Sequence, residues 1–413
     1  MLNRLKKMMA LVLLIAMLAT LPGVAACGNG EETSGKKLIF GWDWDFTGRS
    51  ALGVTQLYTG LVDYLRMTKE TNPVPGTEVE LKTYDTKSDA ARVVVGYRWL
   101  KDRGMDLFSC SPTDFPMLRS QLEADNTPSF LGSTLLEILD SPLVVSVYGP
   151  PDSQLEVIMD WIMDNWDVSA NGKCKIGFVG FAGLPFFESQ RDTVMEIINE
   201  NPDKLEITSV QMVPSTTTTW ATEIGKLKDS DYIGVAMTGP PLTSFIMESR
   251  QRGYEKGIVG PLECMMAFWS LVKAAVPPAG LEGCVSGFYF PWYTDTGAFM
   301  TEVKAAMQEY RADEAAELLE GTGYLCGWAY GMILVDSLRR AADEVGGENV
   351  TGMDLFRAVQ ETDMAVEGFG GFDWKTTPTA NALMRAVALY EYKANVEDWV
   401  MIEDFVIPPS LGG

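Results

Sequence analysis

The residues that could do chemistry in this chain are hydroxyls, aromatics and carboxylates in the loops that follow short apolar runs. Trp42-Asp43-Trp44-Asp45-Phe46-Thr47-Gly48 follows the first run and Ser109-Cys110-Ser111-Pro112-Thr113 a later one. Gly132-Ser133-Thr134, the pair Phe186-Phe187, Thr238-Gly239 and Glu263 occupy equivalent places farther on. Hydroxyls and backbone N–H groups at helix starts hold carboxylates. An acidic side chain such as Glu263 holds an ammonium group, and aromatic rings cover an apolar body. For any one loop, ordinary helix capping or core packing explains the residues equally well. Their common position, at the same edge of successive strands, points to a cleft.

Catalysis finds little support. The chain has no histidine, which excludes Ser-His-Asp triads, Cys-His pairs and His-ligated metals. Carboxylate-only or lysine-based chemistry stays open. Beyond Cys27, five cysteines remain (Cys110, Cys174, Cys264, Cys284 and Cys326) with no CxxC, so there is no zinc pattern. These read as small buried hydrophobes. The glycines at 177, 180 and 183 follow GxxGxxG spacing rather than the GxGxxG of a dinucleotide loop. Close strand–helix packing accounts for them. Asp43, Asp45, Thr47 and Gly48 begin like a calcium loop, but its twelfth position is Val54, which carries no carboxylate. We expect no cofactor and no metal.

The elements that must position these loops alternate in kind. Strands are expected over 38–42, 78–84, 105–109, 128–131 and 143–148, with helices over 54–69, 89–103 and 113–124 between them. The rhythm repeats. Strands at 175–180, 205–213, 232–237, 257–260 and 284–290 are separated by helices at 152–166, 186–201, 219–228, 242–252 and 265–275. Helices over 296–309, 324–345 and 353–362 follow. An antiparallel pair over 383–392 and 399–402 closes the chain. Strand–helix alternation of this length implies an α/β fold with two doubly wound parallel sheets. About 375 residues past the amino-terminal segment are also too many for one core. The chain carries a net charge of −23, which makes nucleic acid or an anionic membrane face a poor partner.

The first residues give an address. Arg4, Lys6 and Lys7 precede an uncharged apolar run from Met8 to Thr20, and the stretch closes on Val24-Ala25-Ala26-Cys27. This is the layout of a secretory signal peptide, with an apolar run too short to span a bilayer. The cysteine after small residues resembles the lipobox of bacterial lipoproteins. That resemblance implies cleavage after Ala26, acylation of Cys27 and an extracytoplasmic protein held to the cell membrane by lipid alone. Residues 28–37 (GNGEETSGKK) are polar and glycine-rich and read as a flexible tether.

From Leu38 onward the chain resembles the leucine/isoleucine/valine-binding family of type I periplasmic binding proteins, the solute receptors of ABC importers. The resemblance is carried by DFTGRSALG at 45–53, YDTKSDAARVVVGYRWL at 84–100, SCSPT at 109–113 and TPSFLGST at 127–134. It continues through SVYGPPDSQ at 146–154, GPLEC at 260–264, GYLCGWAYGMILVDSL at 323–338 and VEGFGGFD at 366–373. It implies two lobes joined by three crossings, placed near Tyr148, Phe290 and Phe372. Lobe one would hold 38–147 and 291–371, and lobe two 148–290 and 372–413. It further implies a small solute, an amino acid or a relative of one, gripped between the lobes and handed to membrane permease subunits. The implied ligand-binding set is Trp42, Trp44, Phe46, Ser109, Cys110, Ser111, Ser133, Thr134, Tyr148, Asp152, Phe186, Phe187, Thr238 and Glu263. The chain departs from the family in its ligand loops. The first loop lacks the family proline and carries two tryptophans, and Phe186-Phe187 stands near where Tyr-Gly is common. The added aromatics favour a bulkier or aromatic solute. The same fold acting as a sensor for a receptor, or a secreted enzyme, are the rival readings.

Overall fold

A computed structural model describes residues 35–378 and 380–412. The expected leader, Cys27 and most of the tether lie outside these residues. Lys36 and Lys37, read as the end of the tether, already belong to the first strand. The Lys36 amide donates to the Gly76 carbonyl at 2.9 Å, and the ladder runs on from there. Among the described residues no helix is long and apolar enough to cross a membrane.

Two large sheets organise the chain. The first contains β1 (Lys36–Trp44), β2 (Thr77–Asp85), β3 (Leu107–Cys110), β4 (Ser129–Leu131), β5 (Val144–Tyr148) and β13 (Ala382–Met384). Their order is β13-β5-β4-β3-β1-β2, and every pairing is parallel. The second contains β6 (Cys174–Phe181), β7 (Leu205–Val213), β8 (Tyr232–Ala236), β9 (Gly257–Pro261), β10 (Cys284–Phe288), β14 (Val387–Lys393) and β15 (Asp398–Val406). Their order is β15-β14-β10-β9-β8-β6-β7, parallel except where β14 meets β10 and β15. A short antiparallel pair, β11 (Asp363–Met364) and β12 (Trp374–Lys375), stands apart. The α/β architecture with doubly wound sheets matches the expectation. β3, β4 and β5 are buried at every position, as strands covered on both faces must be.

Both sheets reverse their winding two strands from one edge. The order turns at β1/β3 in the first and at β6/β8 in the second. A crevice forms at such a switch point, beyond the carboxyl ends of the strands. The loops after β1, β3, β6 and β8 are therefore the ones that the fold brings to the cleft.

The carboxy-terminal part differs from the sequence expectation. Residues 383 and 384 are not part of an antiparallel pair with 399–402. They sit in β13, which joins the edge of the first sheet beside β5, with Ala382 opposite Ser146 and Met384 opposite Tyr148. The chain passes to the second sheet only at Arg385–Ala386, so the crossing expected near Phe372 is displaced to that point. β13 is three residues long and runs straight into β14 after two residues, and only Arg385 interrupts the apolar run at that change of sheet. The helix expected over 265–275 is two short ones, Leu262–Met265 and Trp269–Ala275. Between them the Ala267 carbonyl turns toward Gly53 at the start of helix Ala51–Thr71.

That helix is fixed by its partner, Gly323–Val345. A Cβ on Gly60 would lie 2.3 Å from the Tyr324 carbonyl oxygen, and one on Gly327 only 1.9 Å from that of Leu57. The two helices touch backbone to backbone, which only glycine permits. Helix Ala51–Thr71 begins where the first ligand loop ends, so this contact sets the height of that loop over the sheet. Gly327→Ala should overpack the contact and cost about 1–3 kcal/mol. A melting temperature equal to wild type in a thermal denaturation scan contradicts the backbone contact.

Candidate functional site

The first loop is ordered by carboxylates of its own neighbourhood. Asp45 accepts from the amides of Gly48 at 2.5 Å and Ser50 at 2.8 Å, and from the hydroxyl of Ser88. It thereby occupies the amino terminus of helix Ala51–Thr71, where a negative charge is favoured. Asp85, at the end of β2, accepts from Phe46 N, Thr47 N and the Thr47 hydroxyl. These donors, which the sequence offered to a ligand carboxylate, are already committed within the protein.

The strand beneath this loop divides its residues by alternation. Trp42 and Trp44 point to one face. Trp42 is fully buried, with Phe40, Trp44, Tyr58 and Tyr330 around it at ring-centroid distances of 5.4–5.7 Å. It is a core residue, against its assignment to the ligand wall. Trp44 stacks on it and directs its indole N–H to the Ser109 hydroxyl at 3.1 Å. Ser109 meets the Tyr330 hydroxyl at 3.0 Å, and Tyr330 in turn donates to the Phe130 carbonyl. The direction of every proton in this chain follows from its ends, because indole only donates and a carbonyl only accepts. Ser109 is thus saturated and fully buried rather than presented to a solute. Phe46 remains partly exposed, edge-on to Tyr58 at 5.3 Å.

Asp43 points to the opposite face, toward Gly96, Tyr84 and Cys110. It is fully buried, and burial together with Asp114 pushes its carboxyl up to about 8. Cys110 shares this rear face, wholly buried, and is no more a cleft residue than Asp43 is. All five cysteines among the described residues are free and buried.

The two sheets meet at Glu263. This residue lies in the first turn of helix Leu262–Met265, directly after β9. Its Oε1 accepts from the Ser133 hydroxyl at 2.9 Å, across from the first sheet, and its Oε2 from Gln154 Nε2 at 2.8 Å. The same Gln154 uses its Oε1 to take the Leu262 amide at 2.7 Å, which locks the turn that carries Glu263. Desolvation pushes the Glu263 carboxyl up to about 7, although both hydrogen bonds favour the charged form. No lysine or arginine among the described residues contacts it. Tyr148, Tyr289 and Cys326 complete its surroundings, their hydroxyls and thiol all held protonated by burial. Tyr148 packs against Tyr289 and Phe290, at 5.3 and 5.6 Å, so two of the chain crossings lie side by side here. Arg49 reaches Ser215 at 3.0 Å and Lys273 faces Glu320 at 3.8 Å, adding contacts between the elements of the two sheets.

Other members of the expected set fall in varied places. Ser111 bonds Thr113 at 2.8 Å in the loop after β3 and stays partly exposed. Thr134 is fully buried and its hydroxyl has no partner among the described residues. The Thr238 hydroxyl, after β8, is likewise buried and unpartnered. Phe186 and Phe187 open helix Pro185–Glu200, nearly buried, with Phe187 edge-on to Phe181. Asp152 does not join the cleft set. It accepts from Ser189 at 3.3 Å and Thr193 at 3.0 Å, and so binds helix Pro151–Asn165 to helix Pro185–Glu200. Two residues farther on, Gln154 takes the place assigned to it. Sequence offered no signal for Gln154 beyond its position inside the crossover segment.

The fold is matched outside this chain. A family model described as periplasmic binding protein covers residues 39–397. No curated protein sequence matches. Among solved structures, a branched-chain amino acid ABC transporter protein from Thermus thermophilus with bound valine superposes with a TM-score of 0.77 at 16% identity, over 91% of this chain and 98% of that one. A fatty acid ABC transporter substrate-binding protein from Thermomonospora curvata gives 0.75 at 18% identity, over 91% and 94%. A solute-binding protein from R. palustris in complex with benzoate gives 0.72 at 14%, over 92% and 99%.

The two tryptophans of β1 now separate. Trp42→Ala should cost about 3–5 kcal/mol of stability, the range for emptying a buried aromatic site. Trp44→Ala should cost less and leave Ser109 without its donor. Chemical denaturation of both variants checks the ranking, and equal losses contradict it.

Proposed function

Because the chain belongs to the periplasmic binding protein family, we propose that it is the solute-receiving component of an ABC importer, and that its solute carries a protonated amine. One observation carries this reading: the enclosed carboxylate of Glu263, bonded by Ser133 from one lobe and Gln154 from the other, with no cationic side chain among the described residues against it. A buried carboxylate without a counter-charge is costly. A solute ammonium placed there removes that cost and joins both lobes at once. The unpartnered hydroxyls of Thr134 and Thr238 supply donors for the polar remainder of the solute. Trp44, Phe46 and the Phe186-Phe187 pair give the walls an aromatic character, which favours an apolar or aromatic body. Valine, a fatty acid and benzoate name the ligands or transport classes of the similar structures, and only the first bears an amine. A membrane permease is the partner that such a receptor serves.

Calorimetry with amino acids, aromatic amines and amine-free carboxylates tests the proposal. Amine-bearing solutes should bind and their amine-free counterparts should not. Glu263→Gln should weaken binding roughly ten- to a hundredfold, the effect of losing a charged hydrogen bond. The sign of the pH effect follows from the raised carboxyl. Below about 7 the empty site holds Glu263 protonated, and binding an ammonium must expel that proton. Affinity should therefore rise by up to about tenfold per pH unit toward neutrality and level off above it. In Glu263→Gln this slope should vanish. Equal binding of benzoate and an amine, or an unchanged slope in the variant, rejects the amine assignment.

We further propose that Cys27 carries the lipid that holds the protein at the membrane. The motivation is the run of small residues before it and the polar segment after it. Radiolabelled palmitate should enter the wild-type protein and not Cys27→Ser. Equal labelling of both removes the anchor from this cysteine.

A further inference from the structure

A second recess lies at the opposite end of the second sheet from the cleft. Tyr232 begins β8 and Gly257 begins β9, so this is the edge where the strands start. The recess has a volume of about 320 Å³. Three aromatic residues shape it. Tyr232 meets Trp161 at 6.2 Å with an interplanar angle of 81°, and Trp166 at 6.5 Å with 72°. All three are half-buried, with part of their surface open. A side chain at Gly257 would strike the Tyr232 ring at 2.3 Å, so the glycine is what lets that ring lie where it does.

The carboxylates beside these rings are already paired, and Lys256, which also lines the recess, is the partner of one of them. Asp231 pairs with Lys256 at 2.7 Å and Glu391 with Lys393 at 2.7 Å. The Trp166 indole N–H donates to the Gly172 carbonyl at 2.9 Å. What remains open is part of the surface of each of the three rings, beside the carboxyl end of helix Pro151–Asn165. The last turn of that helix carries no basic residue. Ring faces and a helix carboxyl terminus both favour positive charge. A primary ammonium needs acceptors for three N–H groups, and both carboxylates beside the recess already hold lysine ammoniums. A methylated ammonium needs none, and its methyl groups match aromatic walls.

We propose that the recess formed by Trp161, Trp166 and Tyr232, beside Asp231 and Glu391, is a second binding site, for a methylated organic ammonium. It stands independently of the amine assigned to Glu263.

Choline and its uncharged isostere dimethylbutanol are the probes, read by saturation-transfer NMR on the wild-type protein. Choline should bind at least about fivefold more tightly than the isostere, the scale set by cation–π attraction. The choline signal should persist in Glu263→Gln, which separates this site from the cleft, and disappear in a Trp161→Leu, Trp166→Leu double variant. In fluorotryptophan-labelled wild type, fluorine NMR should show choline shifting the resonances of Trp161 and Trp166 and leaving that of Trp44 in place. This needs no variant to fold. The proposal is overturned by absence of choline binding to wild type, by equal binding of the isostere, by a signal lost in Glu263→Gln, or by fluorine shifts confined to other tryptophans.

Discussion

An enclosed carboxylate that meets no cation is the constraint around which the two halves of this protein are arranged. Taking Glu263 out of water disfavours its charge, and the rise of its carboxyl to about 7 measures how far. Two hydrogen bonds offset part of that cost, and they come from different lobes. Ser133 rides on the loop after β4, and Gln154 on the helix that follows the first crossing. The other arm of Gln154 holds the Leu262 amide, so the glutamine both satisfies the carboxylate and fixes the backbone that presents it. The contacts that join the two sheets here are therefore also the ones that orient the acid. Neither sheet alone can satisfy this group.

Rigidity on the first sheet comes from a different source. The loop after β1 has its amides taken by Asp45 and Asp85, and its base is pinned by the proton chain from Trp44 through Ser109 and Tyr330 to Phe130. Tyr330 belongs to helix Gly323–Val345, the same helix whose glycines admit Ala51–Thr71 at backbone contact. The loop, the helix it starts and the helix behind it are thus a single packed unit. Polar groups that read as free donors in the sequence are internal joints of that unit, and this leaves Thr134 and Thr238 as the buried hydroxyls of the set still without a partner.

Much of this was legible in the residues. The alternation of apolar runs with amphipathic stretches placed the strands and helices of both sheets, because strands buried on two faces must be apolar at every position. Gly104, just past the helix expected to end at 103, adopts a left-handed φ of +76°. The failures share a cause. Whether Trp42 faces a solute or a core, and whether Asp152 or Gln154 points to the cleft, depends on which distant element packs against each. Asp152 finds Ser189 and Thr193, more than thirty residues away. Gln154, two positions on, finds Glu263 more than a hundred away. Local sequence carries no record of those partners. The change of sheet at Arg385–Ala386 was hidden for a related reason, since β13 and β14 are both apolar and differ only in what they lie beside.

The contrast between fold and site has a physical basis that the similar structures make plain. Identities of 14–18% accompany TM-scores above 0.7. A parallel sheet asks only that its positions be apolar and of suitable bulk, and many sequences meet that demand. A site asks for one donor or one charge at one point. Here the loops carry that information: a carboxylate at Glu263, two waiting hydroxyls, and rings at Trp44, Phe46, Phe186 and Phe187. A site that encloses polar groups discriminates most strongly through them, because a solute that leaves them unpaired loses far more than one that leaves a gap against a ring. In the proposed reading, the aromatic rings set how large a solute can be and the Glu263 carboxylate sets what charge it must bring.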